Sequence, residues 1–194
     1  MIQNEVLNCI HTRRSVRSFQ QKQIKDEELA ILLDAAIWAP SGGNNQKWLF
    51  TAVQNQSHLL KLNELVRDGF QTWIPDDDYP GKKAAKAFAR KEIFNFYYHA
   101  PTIIIASYIP NHENAMADCS LAMENIFLAA QSMKIGTCYL NYLHWLRNDT
   151  TIRDYLTNFG IPKEHTICSS AAIGYIDHLS PAPARKPGTT HIIH

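Results

Sequence analysis

The sequence predicts one domain of α+β or α/β class with a small sheet, and three observations lead to this prediction. Its 194 residues suit a single core, since domains usually contain about 100–200 residues. The composition, 45% hydrophobic and 19% charged, supports a buried core and excludes disordered, collagen-like and coiled-coil chains. Helical patterns outnumber strand patterns, helices separate the strands, and no internal repeat is present. We therefore expect residues 1–194 to form one domain.

Six helices are predicted mainly from apolar positions that recur every three to four residues. They cover residues 5–11, 26–38, 57–66, 82–99, 116–133 and 149–159. The second begins with Asp26 as an N-cap candidate, and the Pro, Ser, Gly and Asn residues at 40–45 end it. The fifth is apolar on nearly all sides, which places it in the middle of the fold or in a subunit interface, with Gly136 as its stop. Gly160 and Pro162 close the sixth.

Four strands are predicted from short runs rich in β-branched and aromatic residues. They cover Trp48–Val53, residues 101–108, residues 137–140 and Thr166–Tyr175. Residues 67–81, with two prolines and three consecutive Asp, predict a long irregular segment of the lid or loop type. The proline-rich tail is expected to be extended and to lie over another part of the protein. This tail and the central apolar helix together favour a dimer.

The net charge of +1 is an average over an uneven distribution. Residues 1–25 contain five Lys or Arg against one acid, whereas residues 178–194 contain Arg185 and Lys186 and no acid. The overall balance gives no reason to expect a nucleic acid or an anionic membrane as partner. No apolar stretch approaches the roughly 20 residues that cross a bilayer, and the N-terminus does not resemble a secretory signal. We therefore expect a cytoplasmic protein.

Several chemistries lack their usual sequence pattern. The four cysteines form no C-x-x-C pair, so we expect small buried side chains or idle thiols instead of a zinc ribbon or dithiol centre. The nine histidines, including His191 and His194, lack Cys or acids at ligand spacing, so no metal is predicted. P-loop, Rossmann and hydrolase-elbow motifs are missing. A nucleotide would need another binding device.

Two segments are candidates for binding a ligand. Residues 12–19, TRRSVRSF, place three guanidinium groups within five residues beside hydroxyl donors. Arginine forks match phosphate oxygens, so one phosphate monoester could use the whole segment; a solvated basic turn is the alternative. Residues 40–45 are rich in Gly and Asn and would let backbone N–H groups approach a ligand closely, with a plain connector as the alternative.

Five segments carry a family resemblance: RRSVRSF at 13–19, LLDAAIWAPSGGNNQKWLF at 32–50, APTIIIASY at 100–108, DCSLAMENIFLAAQSMKIGTCYL at 118–140 and AAIGYIDHLSPAPARKP at 171–187. In this order they resemble the R-R-S-x-R-x-F element, the A-P-S-x-x-N-x-Q-P-W-x-F loop, the A-P-x-x-I-x-V strand, the central helix with its G-x-G-T-like turn, and the I-G-Y strand with its basic tail. These are elements of the nitroreductase family, the FMN-dependent oxidoreductases.

The resemblance implies a fold of α+β class. It implies an α/β/α sandwich with a small, mostly antiparallel sheet around a long central helix. It further implies a domain-exchanged homodimer with two FMN molecules at the subunit interface.

The resemblance also implies which residues bind FMN. Arg17 would approach flavin N1 and the C2 carbonyl, where a fixed cation favours the reduced flavin. Arg13, Arg14 and Ser15 would hold the phosphate and ribityl chain, and Arg185, helped by Lys186, would bind the phosphate from the tail. Ser41, Asn44 and Gln46 would come from the partner subunit. Asn141, Tyr142 and Leu143 would lie against the N5 face. No side chain needs to act as a nucleophile, because the flavin carries the chemistry.

The implied activity is that of an NAD(P)H-dependent flavin oxidoreductase, which reduces nitroaromatic, quinone or related acceptors by a ping-pong mechanism in one pocket. The alternatives are another flavin reaction, such as dehalogenation, enone reduction or oxidative chemistry, and a flavin-binding redox module without turnover. The lid-like segment with Phe70, Trp73 and Tyr79 favours an enzyme. Lys47, in place of the family's Pro, adds a charge near the cofactor, and Tyr142, in place of a Gly-containing pair, narrows the pocket or stacks on the substrate.

Overall fold

The structure, a computed structural model, describes residues 4–75 and 77–193, so Asp76 of the predicted lid and His194 of the tail lie outside it. One or two helices precede each strand along the described chain, with two further 3-10 turns at Gly42–Asn44 and Thr157–Phe159. The elements are α1 (Glu5–Thr12), α2 (Asp26–Ile37), β1 (Trp48–Val53), α3 (Gln56–Thr72), α4 (Pro80–Ala89), β2 (Thr102–Tyr108), α5 (Ala115–Ser132), β3 (Ile135–Leu140), α6 (Tyr142–Trp145), α7 (Thr150–Leu156) and β4 (Thr166–Tyr175).

The four strands form one antiparallel sheet in the order β1-β2-β4-β3. All of β2 and all but the ends of β4 are buried, because these two central strands are covered on both faces. Strand β1 is half-exposed at one edge, and β3 lies at the other. The predicted bounds of β1 and β4 are confirmed, whereas β2 starts one residue later and β3 two residues earlier than predicted.

Helices cover both faces of the sheet. Ile103 and Ile105 of β2 belong to one core with α3, α4 and α7, and the alternate residues Ile104 and Ala106 belong to a second core with α2 and α5. The result is an α/β/α sandwich of α+β class, which confirms the predicted fold class. The 18-residue α5 is the predicted long apolar helix, with eight buried residues.

The predictions for residues 67–99 are wrong in three respects. Helix α3 continues to Thr72, because Gly69 gives the close approach of α3 to Leu146 and Ile152 instead of breaking the helix. Phe70 is consequently buried in the core and not part of a lid. Helix α4 begins at Pro80, where proline suits the first helical position, and ends at Ala89, so residues 90–99 form turns.

Two predicted helix boundaries also require correction. Gly136 does not stop α5, which ends at Ser132; Gly136 lies inside β3, where a Cβ atom would meet Ile176 and Val16. Lys25, and not Asp26, is the N-cap of α2, and its backbone N–H donates to the Glu28 carboxylate at 2.9 Å. The short α6 was not predicted.

The remaining surface features bear on function. All four cysteines are free, and three of them are buried as predicted, namely Cys119, Cys138 and Cys168. Residues 176–193 contain no helix or strand, and most are exposed. Within the described ranges, no helix has the length and apolar content of a membrane span. The same ranges contain no group of three or more His, Cys, Asp or Glu side chains that could hold a metal.

Candidate active site

The cationic segment of residues 13–19 runs along the β3 edge of the sheet. Ser15 forms an isolated parallel bridge with Thr137, and the Val16 N–H donates to the Thr137 carbonyl at 2.8 Å. Neighbouring residues of an extended segment point to opposite sides. Ser15 and Arg17 are accordingly exposed, whereas Val16 is half-buried. Edge pairing therefore holds Ser15 and Arg17 toward solvent.

The two preceding arginines are partly used by the fold. Arg13 Nε lies 3.4 Å from a Glu124 carboxylate oxygen, and its guanidinium carbon lies 5.9 Å from the ring centre of Phe127. Arg14 Nη1 donates to the carbonyl oxygens of His11 at 2.8 Å and Arg13 at 2.5 Å, at the end of α1. Arg14 Nε is buried and lacks a hydrogen-bond partner in the described part of the chain. The Arg13 Nε is likewise buried without a hydrogen bond to a described residue, and two such donors in a segment of three arginines suit an anionic ligand.

Arg17 lies between two cavities. The larger, of about 510 Å³, is within the size range of small-molecule sites and is walled mainly by apolar and aromatic groups. Its lining comprises Arg17, Gly81, Ala84, Ala85, Phe88, Tyr98, Tyr139, Asn141, Tyr142 and Trp145. The smaller, of about 290 Å³, is lined by Arg17 and its neighbours in residues 15–18 and by Asp177, His178 and Ser180 of the tail. Arg17 is thus shared by an aromatic cavity and a polar one.

The electrostatics of the larger cavity are set by Arg17. Its pKa is raised above the ordinary arginine value, first by electrostatic interaction with the nearby Cys138 thiol group and next by interaction with the Tyr98 side chain. Burial raises the pKa of the Cys138 thiol and raises that of Tyr142 to about 12, so both groups are neutral at pH 7. Arg17 is therefore the one ionised group among the lining residues of this cavity at neutral pH.

A strained turn places Tyr98 in this cavity. Tyr98 and His99 have φ angles of 55° and 57°, in the left-handed region that bulky residues avoid. Asn95, which is 4% exposed, holds the turn: its Oδ1 accepts from the backbone N–H of Tyr97 at 3.2 Å and of His99 at 2.8 Å. Each such backbone conformation costs roughly 1–3 kcal/mol. The Tyr98 ring lies beneath Arg17, with 5.8 Å between the ring centre and the guanidinium carbon.

Residues 141–143 form the wall next to β3. Asn141 is the N-cap of α6 and lines the larger cavity. The Tyr142 ring packs against Phe70, Phe94 and Phe96 at centre distances of 5.7, 6.0 and 6.0 Å, so one side of it belongs to the core. Leu143 is fully buried and is not among the residues that line this cavity. Tyr142 therefore bounds the cavity on this side.

The predicted loop at residues 41–46 is held in a compact conformation. Ser41 Oγ accepts from the Gln46 N–H at 3.1 Å, and Gln46 Nε2 donates to Asn44 Oδ1 at 2.7 Å. Asn44 and Gln46 have φ angles of 54° and 48°. The buried Asp118 anchors the loop, because its Oδ1 accepts from the Gly42 N–H at 3.0 Å. Lys47, immediately after the loop, is exposed.

The loop and the cationic segment lie at opposite edges of the sheet. The loop leads into β1, whereas the cationic segment pairs with β3, and β2 and β4 lie between them. The cationic segment lies one strand spacing beyond β3, so four spacings, roughly 19 Å, separate it from β1. The structure brings Arg17 together with Asn141 and Tyr142, but it does not bring Ser41, Asn44 or Gln46 to them within one chain. Arg185 is exposed in the tail, eight residues beyond Asp177.

Exposed apolar side chains surround the loop edge. A groove of about 390 Å³ is lined by residues of α2, the loop and β1, namely Leu33, Ile37, Gln46, Trp48, Leu49 and Phe50. Ile37 and Trp38 are 52% and 77% exposed, and Leu121 of α5 is 48% exposed. Large exposed apolar patches on soluble proteins commonly occur at interaction sites.

Comparison with known proteins identifies the family. Residues 10–175 match the profile of the Nitroreductase family. The chain belongs to this family. The family resemblance in the five sequence segments is thereby confirmed.

Three relatives of this nitroreductase-family chain are informative. A nitroreductase from Bacteroides fragilis, solved with bound FMN, is 39% identical, and the match covers 99% of this chain and 100% of that one, with a TM-score of 0.90. A protein of Archaeoglobus fulgidus, provisionally named NADH dehydrogenase/NAD(P)H nitroreductase, is 31% identical over 88% of this chain and 85% of its own length. The FMN reductase [NAD(P)H] of Bacillus subtilis is 29% identical over 69% of this chain and 53% of its own length.

Sequence reasoning missed part of this nitroreductase-family site. Tyr98, Phe88 and Ala85 line the cavity, but the sequence pattern predicts them only as parts of one continuous helix over residues 82–99. The one signal was the pair Ala100-Pro101, since the residue before a proline is biased away from helix. That signal predicts a break just before β2 without indicating the left-handed turn.

Proposed function

We propose that this chain forms one FMN-binding domain of an oxidoreductase that takes hydride from NAD(P)H and reduces nitroaromatic, quinone or related acceptors by a ping-pong mechanism. The class and cofactor are supported by family membership, by the FMN in the B. fragilis relative and by the names of the two curated relatives. FMN, when bound, supplies the hydride acceptance and delivery. The observation that carries the proposal is Arg17, one uncompensated cation between a polar and an aromatic cavity.

The donor set fits a phosphorylated flavin. Arg13, Arg14 and Ser15 would hold the phosphate and ribityl chain, and the buried Nε atoms of Arg13 and Arg14 lack hydrogen bonds within the described part of the chain. Arg185 would add a cation from the tail. Guanidinium forks bind phosphate through paired hydrogen bonds, so three arginines near one edge suit a phosphate monoester.

Arg17 and the aromatic wall would perform the functional tuning. A fixed cation stabilises the extra negative charge of the reduced ring system and so favours hydride acceptance. Residues 141–143 would border the ring mainly through Asn141 and Tyr142, which line the cavity, whereas Leu143 is buried behind them. Phe88, Trp145 and Tyr142 suit flat aromatic partners, and the neutral phenols lining this cavity leave no activated nucleophile there.

The site would be completed by a second copy of the chain. Ser41, Asn44 and Gln46 lie across the sheet from Arg17, so in a homodimer the partner chain would supply them. The exposed Ile37, Trp38 and Leu121 support such an interface, since burial of apolar surface drives association. The loop is already compact and would require little ordering on assembly.

Purified protein tests this proposal directly. We expect a yellow protein that releases FMN on denaturation, whose flavin absorbance bleaches with NADH or NADPH and returns when a nitroarene or quinone is added. Parallel initial-rate lines for varied donor and acceptor would support the ping-pong mechanism. A colourless protein that cannot be reconstituted with FMN would overturn the proposal. Bound FMN with no steady-state NAD(P)H oxidation by any acceptor would indicate a binding module instead.

A further inference from the structure

We propose that Tyr98 is the positioning residue of Arg17: its ring holds the guanidinium at the mouth of the larger cavity without neutralising it, and thereby sets the redox potential of the bound flavin. This inference rests on the proposed function, in which Arg17 favours the reduced cofactor. Tyr98 lies outside the five sequence segments that carry the family resemblance. Three observations support it: the contact between the Tyr98 ring and Arg17, the lack of a described acid paired with Arg17, and the strained turn at Tyr98 and His99.

The contact is a cation over an aromatic face. The Arg17 guanidinium carbon lies 5.8 Å from the centre of the Tyr98 ring, within the distance at which the electron-rich face attracts a cation. Both residues line the same cavity, together with Asn141 and Tyr142. The ring therefore fixes the direction of a side chain whose backbone lies on an exposed, extended segment.

The nature of the partner matters as much as the contact. In residues 4–75 and 77–193, no carboxylate oxygen lies within 4.0 Å of an Arg17 nitrogen, whereas Arg13 pairs with Glu124. An acid in place of Tyr98 would hold Arg17 equally well but would cancel most of its field at the cavity. A neutral ring positions the cation and leaves its charge available. This is the arrangement that stabilisation of an anionic cofactor requires.

The backbone shows that the position of Tyr98 is maintained against a local cost. Tyr98 and His99 are both left-handed, and neither is Gly or Asn, the residues that adopt this conformation most readily. The buried Asn95 side chain binds two backbone N–H groups of the turn, and its amide nitrogen lies 3.3 Å from His99 Nδ1. A relaxed turn would not need this support. Backbone strain held by a dedicated buried side chain is typical of functional sites.

The test uses the FMN-loaded protein and measures the flavin midpoint potential together with the Kd for oxidised FMN. Tyr98→Leu removes the ring and should weaken the binding of reduced relative to oxidised FMN on the order of tenfold, which lowers the two-electron potential by about 30 mV. Tyr98→Phe keeps the ring and should give a smaller shift, on the order of twofold to threefold. Tyr155→Leu, which removes another half-buried phenol on α7, is the matched control and should leave the potential unchanged.

The decisive measurement is a double-mutant cycle with Arg17→Gln. Because Tyr98 acts through Arg17, Tyr98→Leu should have no further effect on the potential in the Arg17→Gln background. A full additional shift in that background would overturn the inference, and so would a wild-type potential in Tyr98→Leu. If Tyr98→Leu does not fold, a potential in Tyr98→Phe lower by as much as in Arg17→Gln would also contradict a role for the ring. If the wild-type chain binds no FMN, the proposed function is wrong and this inference with it. If FMN binds but the potential of Tyr98→Leu equals that of wild type, only this inference is wrong.

Discussion

The two edges of the sheet carry the two halves of the candidate site, and they are built in opposite ways. At the β1 edge, the loop of residues 41–46 satisfies its own side chains and is anchored to the buried Asp118. At the β3 edge, Arg17 has a neutral aromatic partner and Arg14 retains an unpaired buried Nε. The polar groups of the β1 edge are hydrogen-bonded within the described chain, whereas some of the polar groups at the β3 edge are not.

In the proposed dimer, the two edges would contribute different properties to one shared site. A preformed loop offers fixed backbone and amide groups, so little freedom is lost when it meets a ligand. Arg14 and Arg17 provide positive charge, and this charge stays available to a ligand because neither forms an ion pair with a described acid, unlike Arg13. Mutations at the β1 edge should therefore affect stability and association, whereas mutations at the β3 edge should affect charge and cofactor binding.

The largest effect is expected from removing the anchor of the loop. Asp118→Ala should lower the free energy of unfolding by about 3 kcal/mol, because the Gly42 N–H and the buried Tyr108 hydroxyl, which donates to Asp118 at 2.9 Å, lose their acceptor. Urea denaturation measures the change. Asp34→Ala, on the exposed side of α2, is the control and should stay within about 0.5 kcal/mol of wild type. Equal losses in both variants would show that Asp118 is not an anchor.

The next effect tests whether a second chain covers the loop edge. Ile37→Glu should raise the dimer dissociation constant about a hundredfold, which corresponds to ~2.7 kcal/mol, since an unpaired carboxylate would be buried against apolar groups. Ile93→Glu changes a residue that is 76% exposed elsewhere and should leave the dimer intact. Sedimentation velocity distinguishes these outcomes. A monomeric wild-type chain would break the comparison, because the two edges would then never meet.

The cationic edge should separate tuning from binding. Arg17→Ala should slow reduction by NAD(P)H on the order of tenfold to thirtyfold and lower the flavin potential, with a smaller change in the Kd for FMN. Arg185→Ala, which changes a cation of the exposed tail, should chiefly weaken FMN binding. Stopped-flow reduction and FMN titration measure the two quantities. Identical profiles for both variants would contradict the assigned roles.

The smallest effect concerns pH at the wall of the larger cavity. Burial raises the pKa of Tyr142 to about 12, whereas an unfolded tyrosine ionises near about 10. Above pH 10 the unfolded chain loses this proton while the folded chain keeps it, so stability falls as pH rises from about 10 to about 12. At pH 11, Tyr142→Phe should lose about 1 kcal/mol less than wild type relative to pH 9. Tyr79→Phe, an exposed control, should follow the wild-type curve in urea denaturation at both pH values.

The regular elements were the most predictable part of the molecule. Trp48–Val53 and Thr166–Tyr175 have the predicted bounds, since a short β-branched run between breakers has few alternatives. The errors fall where a tertiary contact overrides a local tendency. Gly69 sits inside α3 because it allows close packing on Leu146, and Gly136 sits in β3 beside Val16.

The candidate site divides in the same way. The arginines were predicted from residue type, because three guanidinium groups in five residues are rare and chemically specific. Tyr98 was missed, because a left-handed conformation violates the local preference of a bulky residue such as tyrosine. The turn is explained by the hydrogen bonds of Asn95 and by the start of β2. The spacing of residues in the sequence predicts neither these hydrogen bonds nor the contact between Tyr98 and Arg17.

The sequence by itself determined the α+β class, the family and the cationic and amide-rich segments, because each depends on residue type and short-range order. The tertiary structure decided that these segments lie on opposite edges of one sheet, since strand order is a property of long-range pairing. It also decided that Arg17 faces a neutral ring instead of an acid. Position and charge of a side chain depend on neighbours distant in the chain, and those neighbours meet only when the sheet and its two helical layers assemble.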